Sequence, residues 1–130
     1  MNTNQKRVGK FLRDRKLDSL RPADIAKSIT IEAAELLEHF QWEGKELAEE
    51  KKDKEKIEEV KDEVADVIFY CLEMAYLLGF DADLAVLSKL KRAEKKYDAK
   101  LFNTIDEVPG TNMYWKIKKE HRAKKSPKKT

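Results

Sequence analysis

The stretch SITIEAAELLEHFQW, residues 28–42, decides the fold class of this chain. At about 100° per residue, Ile29, Leu36 and Phe40 fall within roughly 60° of Ile25, which precedes the stretch. Apolar residues at this spacing predict an amphipathic helix that buries one face. The stretch therefore indicates a protein built from packed helices.

The same stretch carries three glutamates at three-residue spacing, Glu32, Glu35 and Glu38. On the helical wheel Glu32 lies roughly 20° from Ile25 and Glu35 roughly 80° from it, whereas Glu38 lies further round the helix. Two of the three carboxylates are therefore predicted to border the buried face instead of pointing to solvent.

A second stretch, IEEVKDEVADVIFYCLEMAYLL at residues 57–78, repeats this pattern. Its acids Glu63 and Asp66 stand three residues apart, so they share one helix face. Glu63 falls beside Tyr70 on the wheel, and Asp66 falls beside Leu77. Two helices thus each carry an acid pair at an apolar boundary.

Burying several carboxylates together is costly, because each loses hydration and they repel one another. If the two helices face each other in a bundle, the four acids meet, and a hard divalent cation with oxygen ligands can neutralise them. No histidine stands at the paired positions, which favours Mg²⁺ or Mn²⁺ over a di-iron centre. The alternative is that the acids form ordinary solvated helix faces.

The rest of the chain also predicts an all-α fold. Charged residues make up 41% of the sequence, with only four Gly and three Pro, and this composition favours long helices. Four main helices are expected, at residues 4–16, 22–42, 57–78 and 82–97. Pro22 suits a first turn, Gly79 ends the third helix and Asp81 caps the fourth. Residues 43–56 form either a short helix or a loop.

After the fourth helix, Pro109–Gly110 predicts a loop, and Asn112 is a candidate cap for a last short helix. The 130 residues suggest one domain, and the single cysteine excludes an internal disulfide. With no apolar run of membrane-spanning length and no apolar signal core, we expect a soluble, cytoplasmic protein without a membrane partner.

Charge is unevenly distributed. The formal net charge is +3, yet residues 116–130 contain eight Lys or Arg and one Glu, so the preceding chain is acidic. This basic tail is either a solubilising segment, disordered at its end, or a segment that attracts nucleic acid or phosphate, with Tyr114 and Trp115 able to contact bases.

Three segments, IEAAELLEHFQW, DEVADVIFYCLEMAYLLGFD and AVLSKLKRAEKKY, resemble the MazG-like all-α nucleoside triphosphate pyrophosphohydrolases. The chain is especially similar to their short, dCTP pyrophosphatase-like branch, over residues 22–97. The resemblance implies a helical bundle of four main helices that assembles as a homodimer or homotetramer. It also implies a MazG-like domain at residues 1–102, followed by a loop, short helix and basic tail at residues 103–130.

The activity that the resemblance implies is hydrolysis of a nucleoside triphosphate between the α and β phosphates, giving a monophosphate and pyrophosphate, in sanitation of the nucleotide pool. Glu32 and Glu35 match the family's first pair of metal ligands, and Glu63 and Asp66 match the second. Either Glu35 or Glu38 is expected to act as general base for the attacking water.

Five further residues are implied in substrate binding. Trp42 matches an aromatic residue that stacks on the base, its alternative being a core or interface tryptophan. Tyr70 could contact the sugar. Lys89, Lys96 and Tyr97 match positions that face the phosphates, although such lysines are also common as solvated residues. No role is expected for His39, which is predicted to be a surface histidine.

The fourth helix departs from the family pattern. Relatives commonly carry an Asn and then Arg-Tyr-Pro, where this chain has KRAEKKYDAK. This departure leaves open an alternative function, a catalytically weak nucleotide-binding or nucleic-acid-binding protein on the same scaffold. The intact four-acid set favours the enzyme.

Overall fold

A computed structural model describes residues 2–102 and 111–125, which contain helices and no strand. The elements are α1 (Thr3–Asp14), α2 (Pro22–Glu38), α3 (Leu47–Glu50), α4 (Lys54–Leu78), α5 (Ala82–Lys96), a 3-10 turn (Ala99–Phe102) and α6 (Thr111–Lys125). The predicted all-α fold is confirmed. The predicted loop at residues 103–110 and the end of the tail at residues 126–130 lie outside the described residues.

The turn between α4 and α5 forms as its residue types predict. Gly79 adopts the left-handed conformation, with φ of 77°, and ends α4, a position that glycine occupies without a steric penalty. The Asp81 carboxylate then accepts hydrogen bonds from the backbone N–H groups of Asp83 at 2.9 Å and Leu84 at 3.2 Å. Asp81 therefore caps α5.

Three predicted boundaries were wrong. Helix α2 ends at Glu38, four residues before Trp42, and the chain continues in turns that place the Phe40 ring 4.5 Å from the Lys56 Nζ. Helix α4 begins at Lys54 because the Asp53 side chain caps it. Helix α6 begins at Thr111, so Asn112 lies within it and not at its cap.

The chain divides into two compact units, residues 1–84 and residues 85–130. The first unit contains α1 to α4 and the start of α5. The second contains the remainder of α5, the 3-10 turn and α6. The predicted domains, 1–102 and 103–130, stay predictions.

The core of the first unit lies between α1 and α4. Val8 and Leu12 of α1 pack against Leu72 of α4. The two helices approach closely at Gly9, where any Cβ would collide with the Tyr76 ring. Glycine at this position therefore allows α1 to lie directly on α4.

A buried glutamine fastens α1 to the end of α4. The Gln5 side chain donates to the Phe80 carbonyl at 2.8 Å and accepts from the Ala82 N–H at 2.9 Å. Both polar ends of a fully buried side chain are thereby satisfied. This contact holds the α4–α5 turn in place.

Helix α2 also packs on α4, and its Ile25 is buried. Helix α4 is thus the central element of the first unit, with α1 and α2 both packed on it. Within the described chain, no helix has the length and apolar character needed to cross a membrane.

Candidate metal centre

Three carboxylates from two helices converge in the first unit. Glu32 lies on α2, and Glu63 and Asp66 lie on α4. One oxygen from each side chain lies within 4.8 Å of the other two. The i, i+3 spacing places the two α4 acids on one face, and the packing of α2 on α4 brings Glu32 to them.

The two glutamates of this cluster are partly withdrawn from water. Glu32 and Glu63 are half-buried, whereas Asp66 is exposed. The Oε2 atoms of Glu32 and Glu63 are each buried without a hydrogen-bond partner among the described residues. Buried oxygens without a donor are unfavourable in an isolated protein, and they are suitable ligands for a hard cation.

The electrostatics of the cluster reflect this crowding. Burial raises the pKa of Glu32 to about 7, with further contributions from a hydrogen bond with Glu35 and from the negative charges of Glu35, Asp66 and Glu63. Burial also raises the pKa of Glu63, which the charge of Glu35 raises further. Without a cation, Glu32 is therefore partly protonated near neutral pH.

Glu35 and Glu38 differ in position. Glu35 is half-buried on α2 and close enough to hydrogen-bond with both Glu32 and Glu63. Glu38 is exposed at the end of α2. The structure thus places Glu35 at the cluster and Glu38 on the solvent side, as the helical wheel predicted.

His39 is a residue whose position the sequence reasoning missed. Its side chain is 21% exposed, with Nδ1 3.6 Å from Glu59 Oε2 and Nε2 3.7 Å from Glu63 Oε1. The expectation of a surface histidine was wrong, because the turn after α2 directs the ring onto α4. A signal was present, since His39 falls between Glu32 and Glu35 on the helical wheel.

A charged cavity of about 340 Å³ opens beside His39. Both of its lysines are paired with acids. The Lys45 ammonium lies 3.3 Å from Glu43, and the Lys56 ammonium contacts both Glu43 and Glu50. A polyphosphate in this region would therefore meet acids and already neutralised lysines, so its binding needs added positive charge.

The two aromatic candidates of the first unit lie in different environments. Trp42 is 89% exposed in the turns after α2, which excludes a place in the core of the described chain. Tyr70 is half-buried on α4, one turn beyond Asp66, and its ring meets Phe69 edge to face at 6.0 Å.

The other three substrate candidates belong to the second unit. Lys89 is exposed on α5. The Lys96 ammonium lies 5.2 Å from the Tyr97 ring, and the Tyr97 ring stacks on Tyr114 at 4.8 Å. Their roles in substrate binding stay predictions.

Comparison with known proteins gives two matches. The model of the MazG-like family matches residues 27–108. A crystal structure of a pyrophosphatase from Archaeoglobus fulgidus DSM 4304 is similar in fold, with a TM-score of 0.62 and 33% sequence identity. The similarity covers 72% of this chain and 87% of that one. No curated protein matches the sequence.

Proposed function

Because the chain belongs to the MazG-like family, we propose that it is a metal-dependent nucleoside triphosphate pyrophosphohydrolase. It would cleave a (d)NTP to the (d)NMP and pyrophosphate and so sanitise the nucleotide pool. One observation carries the proposal, the convergence of Glu32, Glu63 and Asp66 within 4.8 Å. The similar archaeal protein, itself a pyrophosphatase, supports the reaction class, hydrolysis of a phosphorus-containing acid anhydride.

The cluster fits a divalent cation, Mg²⁺ or alternatively Mn²⁺. Glu32, Glu35, Glu63 and Asp66 would supply carboxylate oxygens, the donors that these hard cations prefer. Two of those oxygens are buried and have no hydrogen-bond partner among the residues that the structure describes, so coordination would satisfy them. When bound, the metal would neutralise triphosphate charge and lower the pKa of the attacking water.

The remaining chemistry falls to the protein's own carboxylates. Hydrolysis of the α–β anhydride consumes one water, whose proton must pass to a base. We assign this role to Glu35 in preference to Glu38, because Glu35 is the one of the two candidates placed at the cluster. One oxygen of the Glu35 carboxylate would accept the proton, while its other oxygen would hold the metal together with Glu32, Glu63 and Asp66.

Substrate recognition is proposed for residues around this centre and in the second unit. Trp42, whose ring is almost fully accessible, would stack on the base, and Tyr70 would contact the sugar. Lys89, Lys96 and Tyr97 would meet the phosphates. Stacking on an accessible tryptophan tolerates any base, so base preference would come from other contacts.

We also propose that the protein is a homodimer or homotetramer. Ile68 of α4 is 52% exposed, and the neighbouring Val64 and Phe11 are exposed too. Apolar cavities of about 510 and 390 Å³ on this side of α4 share Ala65 and Ile68. An exposed apolar patch of this kind is typical of a protein interface. Light scattering should give a molecular mass that is a multiple of the chain mass. Ile68→Glu should lower the measured mass toward that of the monomer.

The second candidate is a catalytically weak nucleotide-binding or nucleic-acid-binding protein on the same scaffold. It is favoured by the sequence of α5, which departs from the family pattern, and by the stacking of Tyr97 on Tyr114. In that case Tyr97 would stabilise the second unit by packing on Tyr114 and would not contact a substrate.

Product analysis tests the proposal. The purified protein would be incubated with the common NTPs and dNTPs, with Mg²⁺ or Mn²⁺, and scored for monophosphate, diphosphate and pyrophosphate. We expect monophosphate and pyrophosphate from a subset, lost in Glu63→Gln and kept in Glu58→Gln, an exposed acid on the same helix. No turnover of any nucleotide would favour the second candidate. Unchanged turnover in Glu63→Gln would refute the metal site.

A further inference from the structure

The second unit is strongly basic, in contrast to the first. Residues 85–130 contain fourteen Lys or Arg and five Asp or Glu, whereas residues 1–84 contain fourteen and twenty. A positive surplus of this size attracts polyanions. The proposed substrate site does not account for this surplus, because it uses only Lys89 and Lys96 of these fourteen basic residues.

One face of α6 concentrates this charge. Around the helix, Trp115, Lys118, Lys119 and Lys125 fall within an arc of roughly 120°, with Tyr114 at its edge. The single acid of the helix, Glu120, lies outside this arc, and Ile117 on the opposite side is buried. The face is therefore a continuous basic stripe with two aromatic rings.

The rings and one ammonium group form an ordered array. Tyr114 stacks on Tyr97 at 4.8 Å, and Trp115 meets Tyr114 edge to face at 5.6 Å. The Lys118 Nζ lies 5.5 Å from the Tyr114 ring centre and 5.0 Å from that of Trp115. Trp115 remains 49% exposed, so part of its ring is available beside a positive charge.

We propose that this face of α6 binds single-stranded nucleic acid. An unpaired base would stack on Trp115, while Lys118 and Lys119 would contact the adjoining phosphates. Stacking on aromatic residues combined with a basic track along the backbone is the usual basis of single-strand binding without sequence preference.

Other polyanions fit the face less well. A duplex offers phosphates, but its base faces are stacked inside the helix and would leave Trp115 unused. An anionic membrane needs an amphipathic helix with a free apolar side, and the apolar side of α6, with Ile117, is buried. The combination of accessible ring and lysines matches a single strand.

The test is fluorescence anisotropy of a labelled oligothymidylate or oligouridylate that ends in a 5′-hydroxyl. EDTA would be present throughout, so the acid cluster is metal-free and no triphosphate is offered to it. The assay therefore measures oligonucleotide binding alone, and its result does not depend on whether the protein hydrolyses nucleoside triphosphates. We expect binding at low salt, weaker as salt rises, and weaker to the matching duplex.

Variants then separate the two contributions. Trp115→Ala should weaken oligonucleotide binding about tenfold without changing the slope of log K against log salt. Trp115→Phe, which keeps an aromatic ring, should retain most of the wild-type affinity. Lys118→Gln and Lys119→Gln should each reduce the slope of log K against log salt by about 0.7. As a control, Lys52→Gln replaces an exposed lysine of the first unit and should change neither the affinity nor the salt slope.

Several outcomes would overturn the inference. They are the absence of binding at low salt, equal affinity for duplex and single strand, and binding that Trp115→Ala and Lys118→Gln leave intact. Binding to phosphatidylserine vesicles without binding to the oligonucleotide would assign the face to a membrane instead. Because Lys119 is exposed, its variant tests the proposal even if Trp115→Ala perturbs α6, which circular dichroism would detect.

Discussion

A carboxylate oxygen of Glu32 on α2 lies within 4.8 Å of a carboxylate oxygen of Glu63 on α4. Burial raises the pKa of both carboxyl groups, and the negative charge of Glu63 raises the pKa of Glu32 further. Packing of α2 on α4 enforces the approach. The fold thus holds carboxylates close together, and their repulsion is relieved when they bind a proton or a cation.

The first prediction concerns the stability of the metal-free protein between about pH 4.5 and pH 7. The pKa of Glu32 is raised from 4.5 to about 7 in the folded state, so the folded state binds more protons than the unfolded one in this window. The free energy of unfolding should therefore fall as pH rises through it. Thermal melts at several pH values would measure this.

Adding Mg²⁺ or Mn²⁺ above about pH 7 should raise the melting temperature, because the cation binds the folded state alone. Glu32→Gln should flatten the pH dependence and weaken the response to metal. A melting temperature that rises with pH across the window, or that ignores both cations, would contradict the assignment of the cluster.

The second prediction separates the two candidate bases. Glu35→Gln should lower kcat by about a hundredfold or more, which is the usual contribution of a general base. Glu38→Gln should lower it by less than about threefold, because Glu38 is exposed at the end of α2. Steady-state kinetics of both variants at saturating Mg²⁺ would decide. A larger loss in Glu38→Gln would reverse the assignment.

The third prediction concerns Glu73, a carboxylate outside the cluster. It is 4% exposed on α4, its Oε2 has no hydrogen-bond partner in the described chain, and burial raises its pKa. Glu73→Met, of similar volume, should raise the free energy of unfolding by about 1–3 kcal/mol at neutral pH. Urea denaturation would measure the change.

The gain from Glu73→Met should shrink at acidic pH, where Glu73 is protonated and already neutral in the folded protein. Glu58→Met, at an exposed site of the same helix, controls for the helix-forming tendency of methionine. Destabilisation by Glu73→Met at neutral pH would indicate instead that the carboxylate has a favourable role, for instance at an oligomer interface.

The fourth prediction tests the close contact of α1 with α4. Gly9→Ala should destabilise the protein by about 1–3 kcal/mol, because the added methyl group would overlap the Tyr76 ring. In the double variant Gly9→Ala, Tyr76→Leu, the cost of the alanine should largely disappear. A stabilising effect of Gly9→Ala, as expected from helix propensity alone, would show that the helices are further apart.

Several features could be predicted from local sequence because local chemistry determines them. Gly79 ends α4 since glycine reaches positive φ at no steric cost, and Asp81 caps α5 because its carboxylate accepts from nearby N–H groups. The end of α2 could not be predicted in this way. The apolar spacing of α2 continues to Phe40, yet the helix ends before that residue. Phe40 lies in the turn that follows, where its ring contacts Lys56 of α4.

The sequence by itself determined that this protein is helical and that acid pairs border the apolar faces of two helices, because both follow from a period of about 3.6 residues. Only the tertiary structure decided which of those acids meet. It brought Glu32 to Glu63 and Asp66, placed His39 between Glu59 and Glu63, and left Trp42 in solvent. Those relationships join residues on different elements, and their distances depend on how α2 packs on α4, which the period of either helix does not specify.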